Sequence, residues 1–346
     1  MVAMSRARPL DDDAIETLLS EPPPDVVEAV KGVAGDFLVL GVGGKMGTSL
    51  ARMLRRAVDA AGTGARVIGV SRFGRVDARA ALERHGIETI ACDLADPAAV
   101  AALPEAANVF FLAGQKFGTD AAPEQTWLQN TIVPAYAAER FRASRFVVFS
   151  TGCVYPFVAV DGPGADEETP LALLGEYAAT CVGRERVFTR FSKRHGTSVL
   201  LFRLNYAVEL RYGVLVDIAA RVLVGEPVDV STGHLNLIWQ GDAVARAIRC
   251  LPLASSPPCA LNVTGGDILR VRDLAEGFAR RFGRDVQIVG DEAPTAWLAD
   301  ARRSIDLFGS PTVPLERIMD LVAEHLLAGG ALLGKPTHFE ARDGRF

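Results

Sequence analysis

Short apolar runs alternate with stretches of helical periodicity along most of the chain. FLVLG at 37–41 leads into a helical pattern over about 46–60, and RVIGV at 66–70 precedes one near 78–85. The series continues with IETIACDL at 87–94, NVFFLAG at 108–114, a long helical pattern around 125–142, RFVVFST at 145–151, another helix over about 175–195 and TSVLLFRL at 197–204. Strands that are apolar throughout, rather than alternating, belong to a sheet covered on both faces, and helices between them imply parallel crossovers. The pattern predicts an α/β fold with a doubly wound parallel sheet.

Beyond residue 205 the rhythm loosens. Helical patterns near 214–224, 242–251, 271–282 and 315–327 are separated by the short apolar pieces EPVDV, ALNV and VQIV, which predict a smaller α/β C-terminal substrate lobe. Before the first strand, Asp11 to Asp13 suit a helix N-terminus, Pro22 to Pro24 break the pattern, and 26–33 resume it. The expected organisation is an N-terminal helical extension (1–35), a dinucleotide-binding domain (36–205), an interleaved substrate lobe (206–330) and a C-terminal tail (331–346).

Composition narrows the class of partner. In 346 residues there are 37 Lys and Arg against 42 Asp and Glu, a net charge of −5, so the concentrated positive surface that nucleic acid or an anionic membrane requires is not expected. The N-terminus turns acidic where a secretion signal needs an apolar run, and no stretch approaches a membrane span, so a cytoplasmic protein is expected. Cys92, Cys153, Cys181, Cys250 and Cys259 form no C-x-x-C pair, and the histidines are scattered, so neither a disulfide framework nor a metal site is signalled.

Candidate chemistry begins at the first strand, which runs directly into Gly41-Val-Gly-Gly44-Lys45-Met46-Gly47 and then a helix. Glycines there let a pyrophosphate approach bare amides at a positive helix end, the arrangement of a Rossmann nucleotide site. The spacing is G-x-x-G-x-x-G, with Met46 where G-x-G-x-x-G needs its last glycine. The second strand ends in Ser71-Arg72, where a carboxylate usually accepts from the adenosine ribose. A guanidinium suits a 2′-phosphate instead, and Lys45 offers a second cation, so NADP is favoured over NAD, the alternative being that both are solvated surface cations. Asp93-Leu94, after the third strand, are placed to meet adenine, or Asp93 is a cap.

These residues resemble the extended short-chain dehydrogenase/reductases, the NAD-dependent epimerase/dehydratase family, over about 37–327. The resemblance is carried by GVGGKMG, Cys92-Asp93-Leu94, FFLAGQK at 110–116, Asn130, FVVFSTGCVYP, FRLN at 202–205 and AWLADARRSIDLFG at 296–309. It implies Thr151 and Tyr177 as catalytic hydroxyls, Tyr177 also touching the cofactor, but Cys181 stands where the family's Y-x-x-x-K places lysine. A thiol gives a phenolate no support. Lys116, in Ala113-Gly114-Gln115-Lys116 after the fourth strand, is the candidate substitute: it holds the cofactor ribose or phosphate, or also biases Tyr177. Arg184, two turns beyond Tyr177, would have to reach back.

Ala113 and Gly114 are implied cofactor contacts, and Gln115, Thr151, Cys153 and Asn205 substrate contacts, with structural roles an equal alternative for Gln115, Cys153 and Asn205. In the segment 234–242, Leu235 or Asn236 falls where nucleotide-sugar members carry a diphosphate-clamping arginine, so a free sugar, sugar acid or similar small molecule is expected. The expected activity is that of an NAD(P)-dependent oxidoreductase or epimerase. The competing reading is a non-catalytic dinucleotide-binding regulator that has lost the catalytic lysine. Relatives of this type dimerise through the Asn130 and Tyr177 helices, implying a homodimer.

Overall fold

The computed structural model describes residues 9–74, 76–119 and 121–345; the first eight residues of the expected extension and the last of the expected tail lie outside them. Seven strands form one parallel sheet: β1 (Phe37–Leu40), β2 (Val67–Ser71), β3 (Glu88–Ala91), β4 (Asn108–Phe111), β5 (Arg145–Thr151), β6 (Val199–Leu204) and β7 (Cys259–Val263). Their spatial order is β7-β6-β5-β4-β1-β2-β3, so the winding reverses between β1 and β4, where Phe37 pairs with Asn108 and Leu40 with Phe111.

Both faces are dry along the central strands, as apolar runs demand, while the edge strand β3 stays partly exposed. Phe37 and Val39 point into a core shared with Val26 and Val30 of helix Pro24–Lys31, Leu50 and Leu54 of helix Lys45–Ala61, and Val244 and Ile248 of helix Gln240–Arg249. Leu38 and Leu40 point the other way, toward Val133, Ala137 and Phe188. This period-two split of fully buried side chains is the geometry of a sheet sandwiched between helices.

A third core belongs to the smaller lobe and gathers Val214, Ile218, Leu274, Phe278, Ile318 and Val322. Two segments from the chain ends complete it: Ile15 and Leu19 of helix Asp12–Leu19, and Phe339. The same N-terminal helix turns its acids both ways. Glu16 accepts from Ser49 of the sheet domain at 2.7 Å and from Arg211 of the lobe at 2.6 Å, while Asp13 meets Arg52.

The long helical pattern around 125–142 is interrupted. Helix Pro123–Trp127 passes through a wide π-turn, Leu128–Ile132, before helix Val133–Arg140 begins with Pro134 in its first turn. Proline lacks the N–H that a regular helix needs, so the chain widens just before it, and Asn130 sits in the widened turn, fully buried.

Candidate active site

The reversal of winding puts the carboxyl ends of β1 and β4 where open parallel sheets bind their ligands. Gly41 adopts φ +93°, and a Cβ there would lie 2.7 Å from the Ala113 amide nitrogen, so only glycine lets the two strand ends meet this closely. Gly47, in the first turn of helix Lys45–Ala61, packs equally tightly on the Gly41 and Val42 carbonyls. Gly44 caps that helix without a side-chain hydrogen bond, leaving the leading amides of Lys45 and Met46 to an outside acceptor.

Two cations flank this loop differently. Arg72 is exposed beyond β2, and the Ser71 hydroxyl underlies Gly43. Lys45 instead turns toward the smaller lobe, donating to the Ala207 carbonyl at 3.2 Å and lying 3.8 Å above the Tyr212 ring. Burial lowers its pKa to about 7, and nearby Glu209 only partly offsets this. Asp93 is exposed and accepts from the Ala95 amide at 3.0 Å, closing a local turn, while Leu94 beside it is buried in the sheet core.

The catalytic candidates converge from two elements. Thr151 ends β5 and caps the turn Gly152–Val154, its Oγ1 accepting from the Cys153 amide at 3.2 Å. Tyr177 lies in the first turn of helix Gly175–His195, within hydrogen-bonding reach of Thr151. Cys181, one turn on, is fully buried and also within reach of the phenol. Burial pushes Tyr177 well above its ordinary pKa, the Cys181 and Cys153 thiols add to the rise, and Arg184 and Thr151 oppose it. Burial likewise drives Cys181 up to about 11. Lys116 faces Cys153, Cys181 and Asp217, and burial lowers its pKa.

Beneath this cluster Asn130 acts as a staple. Its Oδ1 accepts from the Gln115 amide at 2.7 Å, and its Nδ2 donates to the Gln115 carbonyl at 2.8 Å and to Thr180 Oγ1 at 3.0 Å. The loop carrying Gln115 and Lys116 is thereby tied to the Tyr177 helix. Farther in, Arg203 and Glu185 form a buried pair at 2.8 Å, joined by Ser150 and by the Tyr155 hydroxyl, which donates to Asn262.

Other residues named from the sequence serve the walls. Asn205 donates to Asn236 at 2.7 Å and to the Trp297 carbonyl at 3.3 Å, and Leu235 is fully buried. Trp297 packs with Cys153 and Ala178 beside Tyr177 and stacks on Phe157 with ring centroids 4.5 Å apart. The C-terminal stretch comes back to the same wall: Arg342 lies over Phe157, and Gly344 abuts Gly175 at the start of the Tyr177 helix. Sequence reasoning used Trp297 only as part of the AWLADARRSIDLFG segment and gave it no place in the site, and it missed the return of the C-terminal stretch, since no local signal marks so distant a contact. The staple residue itself was named, since Asn130 is among the residues that carry the family resemblance.

Among the described residues no group of three or more His, Cys, Asp or Glu side chains is placed to hold a metal ion. No described helix is long and apolar enough to cross a membrane.

Residues 37–228 match the family of NAD dependent epimerases and dehydratases. No curated protein matches the sequence. Among solved structures, the epimerase Mth375 from Methanothermobacter thermautotrophicus is similar over 90% of this chain and 100% of its own, with a TM-score of 0.72 and 18% identity. MoeE5, solved with UDP-glucose and NAD, covers 84% of this chain and 98% of its own at TM-score 0.68 and 22% identity. The UDP-glucuronic acid 4-epimerase of Bacillus cereus, solved with NAD, covers the same shares at TM-score 0.69 and 18% identity.

Proposed function

Because the chain belongs to the NAD dependent epimerase/dehydratase family, we propose that it moves hydride between a nicotinamide dinucleotide and a hydroxyl-bearing or carbonyl carbon of a sugar, sugar acid or similar small molecule. The observation that carries this reading is the meeting of Tyr177 and Thr151 at the carboxyl end of β5, on the side of the sheet that the glycine loop opens. When bound, the dinucleotide supplies the hydride chemistry. Its fit rests on the φ +93° turn at Gly41 and the uncapped amides of Lys45 and Met46.

The chain's own work is proton handling and orientation. Thr151 Oγ1, already accepting from Cys153, keeps its hydroxyl proton for the substrate oxygen or the phenol. Tyr177 takes a proton from that oxygen in one direction and returns it in the other. Lys116, Ala113, Gly114, Asp93 and Leu94 serve the cofactor, and Cys153 and Gln115 line the substrate side. Exposed Arg72 supports a preference for the 2′-phosphate of NADP. Leu235 is fully buried and Asn236 is committed to Asn205 and the Ala299 carbonyl. Neither offers a fork for a diphosphate, which supports a substrate other than a nucleotide sugar.

The test begins by denaturing purified protein and identifying any released dinucleotide, then comparing affinities for the two coenzymes. Free sugars, sugar acids and UDP-glucose are next screened by reduced-nicotinamide absorbance with wild type and Tyr177→Phe. The expected result is turnover on a non-nucleotide compound that falls by about 10²–10⁴-fold in Tyr177→Phe. Turnover that ignores Tyr177→Phe would sink the mechanism. Tight coenzyme binding with no turnover on any compound would replace it with a regulatory dinucleotide-binding role.

A further inference from the structure

Arg184 is a buried cation for which no anion is placed among the described residues. Only 6% exposed, it donates through one Nη to the Phe149 carbonyl at 2.8 Å and through the other to Asn130 Oδ1 at 2.9 Å. Both acceptors are neutral. Its Nε has no hydrogen-bond partner, and among the described residues no carboxylate pairs with it, the adjacent Glu185 being turned to Arg203. A charge taken out of water this way is strongly unfavourable unless an anion meets it.

The surroundings are shaped to hold it there. A Cβ on Gly114 would collide with the guanidinium, so the glycine after β4 makes its room. Asn130, in the π-turn, fixes it from the other side while gripping Thr180, one residue before Cys181. Positions 177, 181 and 184 lie along one face of helix Gly175–His195, four and then three residues apart.

We propose that Arg184 is the positioning cation of the site: its guanidinium, reaching back along the helix and held by Asn130 and Gly114, is completed by the phenolate that Tyr177 becomes during proton transfer. The inference rests on the reading of Tyr177 as the proton carrier. The groups facing the phenol are Thr151 at the end of β5, Cys153 in the turn after it, and Cys181 and Arg184 on its own helix. Lys116 from the loop after β4 faces the two thiols, and Glu185, one turn beyond Cys181 on the same helix, also acts on that thiol. The guanidinium lowers the phenol's hold on its proton, while burial and the thiols strengthen it. Guanidinium suits the task because it stays charged when buried, whereas the ammonium of Lys116 in the same site is discouraged from holding its proton.

The experiment follows the ultraviolet phenolate signal of the full-length protein from neutral pH upward, with Tyr177→Phe subtracting the other tyrosines. Arg184→Met should move the Tyr177 signal up by about one pH unit or more, a tenfold change in its ionisation constant. Arg184→Lys should restore only part of it, because a buried ammonium gives up its proton where a guanidinium does not. Gly114→Ala, which displaces the guanidinium without removing it, should shift the signal the same way by a smaller amount and covers the case in which Arg184→Met fails to fold. Coincident Tyr177 titrations in wild type and in whichever of these charge-removing or charge-displacing variants folds would overturn the proposal. So would a wild type that shows no Tyr177 signal before alkaline unfolding, because such a cation does not bring the phenol into range. Failure of the functional reading looks different: turnover then survives Tyr177→Phe, whatever the titration reports.

Discussion

Lys45 leaves the glycine loop sideways. In the sequence it is a cation within a phosphate-binding turn, beside Arg72 in purpose; in the fold its ammonium is spent on the Ala207 carbonyl and the Tyr212 ring. Its pKa falls to about 7 from 10.5 through burial, and the sign of the consequence follows. Below the lower value folded and unfolded chains both hold the proton, and the fold carries the full penalty of a desolvated charge. Between the two values the unfolded chain binds more protons than the folded one, so stability rises with pH. Urea unfolding of the free protein from pH 7 to 10.5 should show that rise, and Lys45→Met should remove it. A lysine that remains protonated throughout would leave the two proteins with parallel profiles.

At the scale of elements, the helix Gly175–His195 carries more than Tyr177. Its inner face also supplies Thr180 to the Asn130 staple and Glu185 to the buried pair with Arg203, both partners under 10% exposed. Removing one member strands the other's charge, so Arg203→Met should destabilise the protein by about 3–5 kcal/mol in chemical unfolding. A loss below about 1 kcal/mol would mean that Glu185 finds water or its proton instead. The strands and this helix were legible in the chain because burial on both faces writes itself as unbroken apolar runs. The π-turn was not, because a widened turn keeps nearly the same hydrophobic period as the helix around it.

For the whole molecule, helix Asp12–Leu19 clasps the sheet domain and the lobe at once, Glu16 bonding to Ser49 on one side and Arg211 on the other. Apolar side chains remain in the open along the helices that flank the site: Trp127 and Ile132 are each 43% exposed. We propose that this face joins two copies of the chain. Ile132→Asp should then shift the light-scattering mass from dimer to monomer with little effect on the fold of each copy, since Ile132 lies on the surface. A mass that is already monomeric in the wild type would remove the proposal.

The glycine loop and the order of strands and helices were decided by the chain itself, because each depends on neighbours a few residues away or on a period repeated along an element, whereas the pairing of Thr151 with Tyr177, on two separate elements, was implied only by the family resemblance. What Lys45, Asn205 and Arg184 touch was decided only by tertiary structure. A long or amide side chain finds its partner wherever burial leaves a donor or acceptor unmet, and in Asn130, Trp297 and Ala207 those partners lie tens to hundreds of residues away along the chain.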